Sequence, residues 1–363
     1  MKLLWVFSTF AIGGAQRRAA LIMEGLGPEQ EHVVIALDDR WTAEQFVPPS
    51  VRWRKHPIAF RKTSLVSLSN IRLIRKTLAQ AAPDLLLTSN WGSIEWAIAN
   101  RGRGRTPHIH FEDGFGADES PVRQNPRRAL ARRLCLRGRP LVVPSETLRE
   151  VAVERWKLPA SDVCLIPNGI DVERYAAPAR RSAGITVGSI GGLRREKNYP
   201  RLVRAVAEAA QHSGAPLRLA LYGEGDQRAA IEAESAACSF EGLALPGATV
   251  APEKALAEFD IFALSSDTEQ MPISLMEAMA SGLAVVATDV GDIAGMVSAE
   301  NGPFIAPLGD DRALAEAIAA LARDPDLRRR LGEANRAKAR ERFSLDKMVA
   351  AQRTLFEKTV ARR

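Results

Sequence analysis

The sequence predicts an α/β protein made of two Rossmann-like domains with parallel sheets, and three observations predict it. The chain has 363 residues, and domains usually hold about 100–200 residues each. Twice an apolar run leads into a glycine turn and then a helix-like run: Leu3-Leu4-Trp5-Val6-Phe7 into Gly13-Gly14, and Ile185-Thr186-Val187-Gly188-Ser189-Ile190 into Gly191-Gly192. Short apolar runs then alternate with helical patterns, as parallel strands joined by crossover helices require.

Taken in order, the opening segment reads as a buried first strand rather than a secretory leader. Ser8 and Thr9 break its apolar run, and without it the first domain would lose its opening strand. Helix-like runs follow each glycine turn, over 16–24 and 199–210. Further strands are expected over 32–37, 85–88, 108–111 and 141–144 in a first domain spanning 1–170. In a second domain spanning 171–344 they are expected over 217–222, 261–264 and 284–288. The stretch 171–184, with Pro178 and three arginines, reads as the linker. The pattern after Asp310 is helical, and a terminal helix within 345–363 is expected to pack back on the first domain.

Composition is that of a globular protein, with 46% hydrophobic and 26% charged residues. The cysteines Cys135, Cys164 and Cys238 form no CxxC pair, which argues against a disulfide framework or a zinc site and for a reduced compartment. No stretch approaches the ~20 apolar residues of a membrane-spanning helix. The net charge is +7 and unevenly spread: residues 1–181 hold 28 Lys and Arg against 18 Asp and Glu. The first half therefore suits an anionic partner. Nucleic acid is disfavoured, since aromatics are only 6% and are not interleaved with the basic clusters. A dinucleotide oxidoreductase is disfavoured because the first glycine loop reads G-G-A-Q-R-R rather than G-x-G-x-x-G.

The most informative stretch runs from Ser265 through Glu269-Gln270-Met271-Pro272-Ile273-Ser274-Leu275-Met276-Glu277 to Gly282. Pro272 suits a first-turn position and Gly282 a helix stop. The helix would then begin just after Glu269, with the amides of Ile273, Ser274 and Leu275 facing outward at the carboxyl edge of the sheet. Such a start carries roughly half a positive charge and suits a diphosphate. Glu269 and Glu277 would repel that diphosphate unless they bind sugar hydroxyls, and a nucleotide sugar offers a sugar on either side. By spacing alone, an amphipathic helix with one exposed and one capping glutamate accounts for the same residues.

These residues carry a family resemblance. Glu269 and Glu277 fit the E-x7-E pattern of retaining glycosyltransferases of the GT-B fold, family 4 type. The run on through Val285-Val286-Ala287-Thr288-Asp289-Val290-Gly291 resembles that family's continuation, departing at Gln270 and Ala284. The resemblance implies two domains facing across a cleft, with the donor held mainly by the second. It places the donor hexose on Glu269, the ribose on Glu277, and the diphosphate and sugar on amides of Gln270, Met271, Pro272, Ile273 and Ser274. Gly191-Gly192-Leu193-Arg194-Arg195-Glu196-Lys197 is similar to the family's G-R-L-x-x-x-K turn, in which an arginine and a lysine neutralise the leaving diphosphate. Lys197 matches the lysine, while Gly192 stands where the arginine belongs and Arg194 is the substitute. Pro167-Asn168-Gly169-Ile170-Asp171 and the turn at Gly223 resemble further family segments.

On the acceptor side, Gly13, Gly14 and Gln16 resemble the family's G-G-A-E-R turn. His110, in His108-Ile109-His110-Phe111-Glu112-Asp113-Gly114-Phe115-Gly116, corresponds to a histidine that the family places near the donor sugar; a buried structural histidine fits equally. Asp113 is a candidate acceptor contact. Seven arginines and no acid lie between 123 and 139, and a second basic patch runs from Arg61-Lys62 through 71–76. Basic amphipathic helices suit anionic membranes or diphosphate-linked lipids, although a solvated arginine-rich helix has the same composition.

The implied activity is sugar transfer from a nucleoside diphosphate sugar to an acceptor hydroxyl with retention, in polysaccharide, lipopolysaccharide or glycolipid synthesis. It would need neither metal nor cofactor, and would proceed in the cytoplasm, peripheral to the inner membrane face. A nucleotide-sugar epimerase, a hydrolase or a degenerate binding protein shares the fold.

Overall fold

The computed structural model describes residues 1–60, 67–102, 105–115, 119–175, 184–214 and 216–362. It divides into two compact units, Met1–Asn168 with Leu345–Arg363, and Gly169–Ser344.

The first unit is a parallel sheet of seven strands: β1 (Lys2–Phe7), β2 (Glu31–Ala36), β3 (Trp53–Lys55), β4 (Leu85–Ser89), β5 (His108–Phe111), β6 (Leu141–Val143) and β7 (Val163–Leu165). Their spatial order is β3-β2-β1-β4-β5-β6-β7. Crossovers include the helices α1 (Gly14–Gly25), α2 (Leu68–Ala81), α3 (Ile94–Ala99), α4 (Pro126–Leu136) and α5 (Glu146–Glu150). β1 is central and buried on both faces, with Trp5 paired in register to Val34 of β2 and Leu87 of β4. That two-sided burial explains an opening run that is apolar throughout instead of alternating.

The second unit repeats the pattern with six strands: β8 (Ile185–Ile190), β9 (Leu217–Tyr222), β10 (Leu243–Ala244), β11 (Ile261–Leu264), β12 (Ala284–Thr288) and β13 (Ile305–Ala306). Their order is β10-β9-β8-β11-β12-β13, all parallel. Its helices are α6 (Tyr199–Ser213), α7 (Arg228–Ala237), α8 (Pro252–Leu256), α9 (Ile273–Ala280), α10 (Ile293–Met296), α11 (Asp311–Arg323) and α12 (Pro325–Arg342). The last helix, α13 (Leu345–Ala361), joins the first unit. There Phe356 is fully buried against Trp5 and Phe111, and Arg353 donates to the carbonyls of Gly25 and Leu26.

The stretch expected to be a linker begins as structure. Residues Val172–Tyr175 form a short helical turn with Tyr175 buried, and 176–183 lie outside the described residues. No described helix is long and apolar enough to cross a membrane.

The core of the first unit contains an uncharged histidine. Trp5 Nε1 donates to His32 Nδ1 at 3.1 Å, and burial pushes the His32 imidazole down to about 4. The folded value lies below the unfolded one, so the unfolded chain binds the extra proton. The resulting stability is present above the ordinary histidine value of about 6.5 and is lost as pH falls toward 4. We expect the first unit to lose about 3 kcal/mol between pH 7 and pH 4 from this group. His32→Gln, which keeps an acceptor for Trp5, should flatten part of that fall in urea titrations across the range.

Candidate functional site

In both sheets the strand order reverses at one place, between β1 and β4 and between β8 and β11. Ligands of open α/β sheets bind beyond the carboxyl ends of the strands at such a reversal. In the second unit the two loops at that position are the glycine turn after β8 and the Ser265–Pro272 loop after β11, two of the stretches that the sequence marks as functional.

These loops are tied to each other by side chains. Ser265 Oγ donates to the carbonyls of Lys197 (3.0 Å) and Asn198 (2.9 Å). Asp267 accepts from Asn198 Nδ2 (3.2 Å) and Arg201 Nη1 (2.7 Å), and its own amide donates to the Glu196 carbonyl (2.8 Å). Asn198 turns the chain in the left-handed region (φ 46°) and caps α6 by accepting from the Arg201 amide. Asparagine tolerates that conformation better than most residues.

The tie brings Lys197 and Glu269 together. Lys197 Nζ donates to Glu269 Oε1 at 2.5 Å, and Ser266 Oγ donates to the same oxygen at 2.7 Å. Glu269 Oε2 has no hydrogen-bond partner among the described residues. Burial opposes charge on Lys197, but the adjacent carboxylate outweighs it and holds the ammonium above its ordinary range. One proton donor of three is used on Glu269, so the ammonium keeps donors for an anion.

The helix start differs from expectation in one respect. Pro272 is not in the first turn but precedes it, extended at the N-cap, and α9 begins at Ile273. The Pro272 carbonyl accepts from the amides of Leu275 (3.2 Å) and Met276 (3.4 Å), so Leu275 does not face outward as expected. The amides of Ile273 and Ser274 take no acceptor among the described residues, and no side chain caps them. The side chains of Gln270, Met271, Pro272 and Ile273 are buried, which leaves their backbone as the presentable part. The Gln270 carbonyl is held by the Asp292 amide at 3.1 Å.

Glu277 is 2% exposed, and Tyr175 donates its hydroxyl to Glu277 Oε1 at 2.8 Å. Gly223 is required by close approach: a methyl group there would lie 1.9 Å from the Gly191 carbonyl oxygen. At Gly192, where the family pattern has arginine, a methyl group would lie 2.9 Å from Arg194 Nε. The Arg194 side chain therefore folds back over Gly192 and occupies the room that glycine leaves, half-exposed and 3.6 Å from Glu196.

The first unit treats its candidates differently. Gly13 caps α1 in an extended conformation, and Gln16 folds back to donate to the Thr9 carbonyl at 2.9 Å. Asp113 is engaged by buried Arg18 at 2.5 Å, while its amide donates to Asn90 Oδ1 at 2.8 Å. Burial raises the Asp113 carboxyl despite that arginine, and burial likewise lowers Arg18.

His110 is 0% exposed, with both ring nitrogens occupied. Thr88 Oγ1 lies 2.7 Å from His110 Nδ1 and from His108 Nε2, and Glu112 Oε2 lies 3.4 Å from His110 Nε2. Of the two roles open to His110 in the sequence, this geometry is that of an interior histidine. Gly116, at the end of that motif, lies outside the described residues.

The basic clusters also divide. In α2, Ile71, Ile74 and Leu78 pack into the core, so its apolar stripe is not free; Arg61 and Lys62 lie outside the described residues. In α4, Arg132 is 1% exposed, doubly hydrogen-bonded to Glu119 at 3.1 Å and stacked at 4.4 Å on Trp156. Sequence reasoning assigned no role to Tyr175, Asn198, Arg201, Ser265, Ser266 or Asp267. Their contacts link positions up to 102 apart, which no local pattern marks.

Residues 12–174 match the family described as Glycosyltransferase Family 4, and residues 184–324 match that described as Glycosyl transferases group 1. The chain is 31% identical over 163 residues to a GDP-mannose-dependent alpha-mannosyltransferase of Mycobacterium tuberculosis, covering 42% of this chain and 41% of that protein. It is 26% identical over 304 residues to a D-inositol 3-phosphate glycosyltransferase of Corynebacterium jeikeium, covering 76% of this chain and 72% of that one. The match thus spans less than half of the first relative and most of the second. The fold is similar to Anabaena HepE in complex with UDP-glucose, with TM-score 0.81, 19% identity and full coverage of both chains. That likeness establishes the GT-B architecture of paired parallel-sheet α/β domains.

Because Gly223 packs directly on the Gly191 carbonyl, Gly223→Ala should push the glycine turn off the strand end. We expect it to destabilise the second unit by about 2 kcal/mol or more, read as a lower calorimetric midpoint. An unchanged midpoint would mean that the two turns are not held this closely.

Proposed function

The chain belongs to the glycosyltransferases, joining a Family 4 region to a group 1 region, and from that premise we propose that it moves a sugar from a nucleoside diphosphate sugar to an acceptor hydroxyl. The observation that carries the reading is Lys197 paired to one oxygen of Glu269, beside the uncapped amides of Ile273 and Ser274 at the reversal between β8 and β11.

Each group has a part. The diphosphate lies against the two amides and the remaining donors of Lys197. Arg194, folded over Gly192, supplies the second positive charge that the family places two residues earlier. Glu269 Oε2 accepts from hydroxyls of the donor sugar, and Glu277, aimed by Tyr175, accepts from the ribose.

The bond from the anomeric carbon to the diphosphate oxygen breaks as negative charge grows there, and the fixed cations and amides stabilise that charge. The acceptor oxygen bonds to the same face of the anomeric carbon, giving retention, and its proton passes to the departing diphosphate. Lys197 and the helix start take the place of a divalent metal. Gly13, Gly14, Gln16 and Asp113 serve the acceptor side, with His110 and Glu112 shaping the loop after β5.

The relatives support a role in polysaccharide or glycolipid synthesis with a saccharide or lipid-linked acceptor. The work would be cytoplasmic and peripheral to the inner membrane face. One relative is named for GDP-mannose and a structural neighbour holds UDP-glucose, so both bases belong in the test.

A thermal-shift screen against UDP-, GDP-, ADP- and dTDP-sugars should give a selective stabilisation with one of them. No shift at millimolar concentration would overturn the donor site. With that donor, Lys197→Ala should lower kcat by about 10²- to 10³-fold, and turnover should survive chelation of metal ions. Glu277→Gln should weaken donor affinity about tenfold or more, the scale of one charge-assisted hydrogen bond.

A further inference from the structure

The arginine-rich stretch of the first unit has a face that neither the core nor the candidate site uses. Around α4, successive residues turn by about 100°. Arg132, Cys135 and Leu136 point inward, and Arg128 lies half-buried over Trp91. The opposite side carries Arg127, Leu130, Arg133, Leu134 and Arg137, all exposed, within an arc of about 120°. Leu130 is 55% and Leu134 59% exposed, one turn apart, and just upstream Val122 is 85% exposed beside exposed Arg123.

Two leucines one turn apart in water, flanked by arginines on either side, gain nothing from the fold of this unit. Burial of Arg132 against Glu119, Trp91 and Trp156 anchors the helix by its other side, so this face is held outward. Arg101 adds a further positive charge, donating to the Leu134 carbonyl at the end of the helix. The nearby acids are otherwise engaged: Glu119 faces inward on Arg128 and Arg132, and Asp162 accepts from the Gly138 amide at 2.7 Å. Among the described residues the face is therefore apolar at its centre and positive at its rim.

We propose that this face of α4, with Val122 and Arg123, docks on an anionic phospholipid bilayer. The leucines and Val122 enter the boundary between headgroups and acyl chains. The arginines lay their stems along that boundary and pair their guanidinium groups with lipid phosphates. Nucleic acid fits the same charge less well, because stacking on bases needs exposed aromatic rings. The neighbouring indoles Trp91 and Trp156 are committed to Arg132. The contrast with α2 is informative: that helix is also basic, but its isoleucines are in the core. The proposal rests on the peripheral part of the function proposed above and assigns it to one surface.

The test is cosedimentation of the full chain with vesicles of phosphatidylcholine alone or with 30–40% phosphatidylglycerol (about the range that gives a strong surface potential), at low and high salt. Binding is expected only to the anionic vesicles. L130S/L134S, altering exposed side chains alone, should keep the wild-type melting temperature and bind at least fivefold more weakly. R127Q/R133Q/R137Q should lose binding, since each arginine near such a surface contributes about fivefold. R329Q/R330Q, on the second unit, should bind as wild type.

Anionic binding that ignores both α4 variants would overturn this surface while leaving a peripheral enzyme intact. No vesicle binding by the wild type would overturn both. Retention by single-stranded DNA that matches vesicle binding and is indifferent to L130S/L134S would also overturn it. The same variants should keep the thermal shift with the sugar nucleotide, so a failed donor site shows up separately.

Discussion

The candidate site depends on a single constraint: the loop after β11 is tied to the turn between β8 and α6. Ser265, Asp267, Asn198 and Arg201 make that tie through side-chain bonds to backbone and to one another. An ammonium and a carboxylate meet at 2.5 Å only if both loops are held. Were either free, the entropy of two mobile segments would oppose the pairing. The tie sits at the strand reversal, where the sheet splays its crossover helices to opposite faces and opens a space beyond the strand ends. Architecture supplies the space, and the polar tie sets its chemistry.

The first unit shows a different use of polar groups. Arg139, His108, Thr88, His110, Glu112, Arg132 and Glu119 form a buried chain from the end of α4 across β4 and β5. Burying charge is costly unless partners and rings replace water. Here two carboxylates and two indoles surround the Arg132 guanidinium. Glu112 and Glu119 hold the Arg132 guanidinium above its ordinary range against the effect of burial, and Arg132 in turn holds Glu112 below the usual carboxylate range. The outcome is a firmly seated α4 and a shaped loop after β5, with His110 serving that framework.

Much of the fold was legible in the residues. Central strands read as apolar runs because both of their faces are covered, and the glycine turns marked both domain openings. The strands that escaped notice, Trp53–Lys55, Val163–Leu165, Leu243–Ala244 and Ile305–Ala306, are the outermost in each sheet. They are two or three residues long and pair on one side only, so they need no apolar run. The start of α9 was expected just after Glu269 with Pro272 in its first turn and falls at Ile273 instead, because proline suits the cap as well as the first turn. The cluster of arginines could not be apportioned from composition, since Arg132 and Arg133 are neighbours in sequence, yet the first is buried and the second exposed.

The sequence by itself determined the class of fold, the two glycine turns, the spacing of Glu269 and Glu277 and the lysine that goes with them. Local chemistry is enough for these, because strand periodicity, turn glycines and helix starts act over a few residues. Only the tertiary structure decided that Lys197 meets Glu269 across 72 positions, that Tyr175 aims Glu277 and that Arg194 fills the space over Gly192. It alone separated the buried His110 and Arg132 from the exposed leucines of α4. Such outcomes turn on which side chains lose water together, and that is set by the packing of elements far apart in the chain.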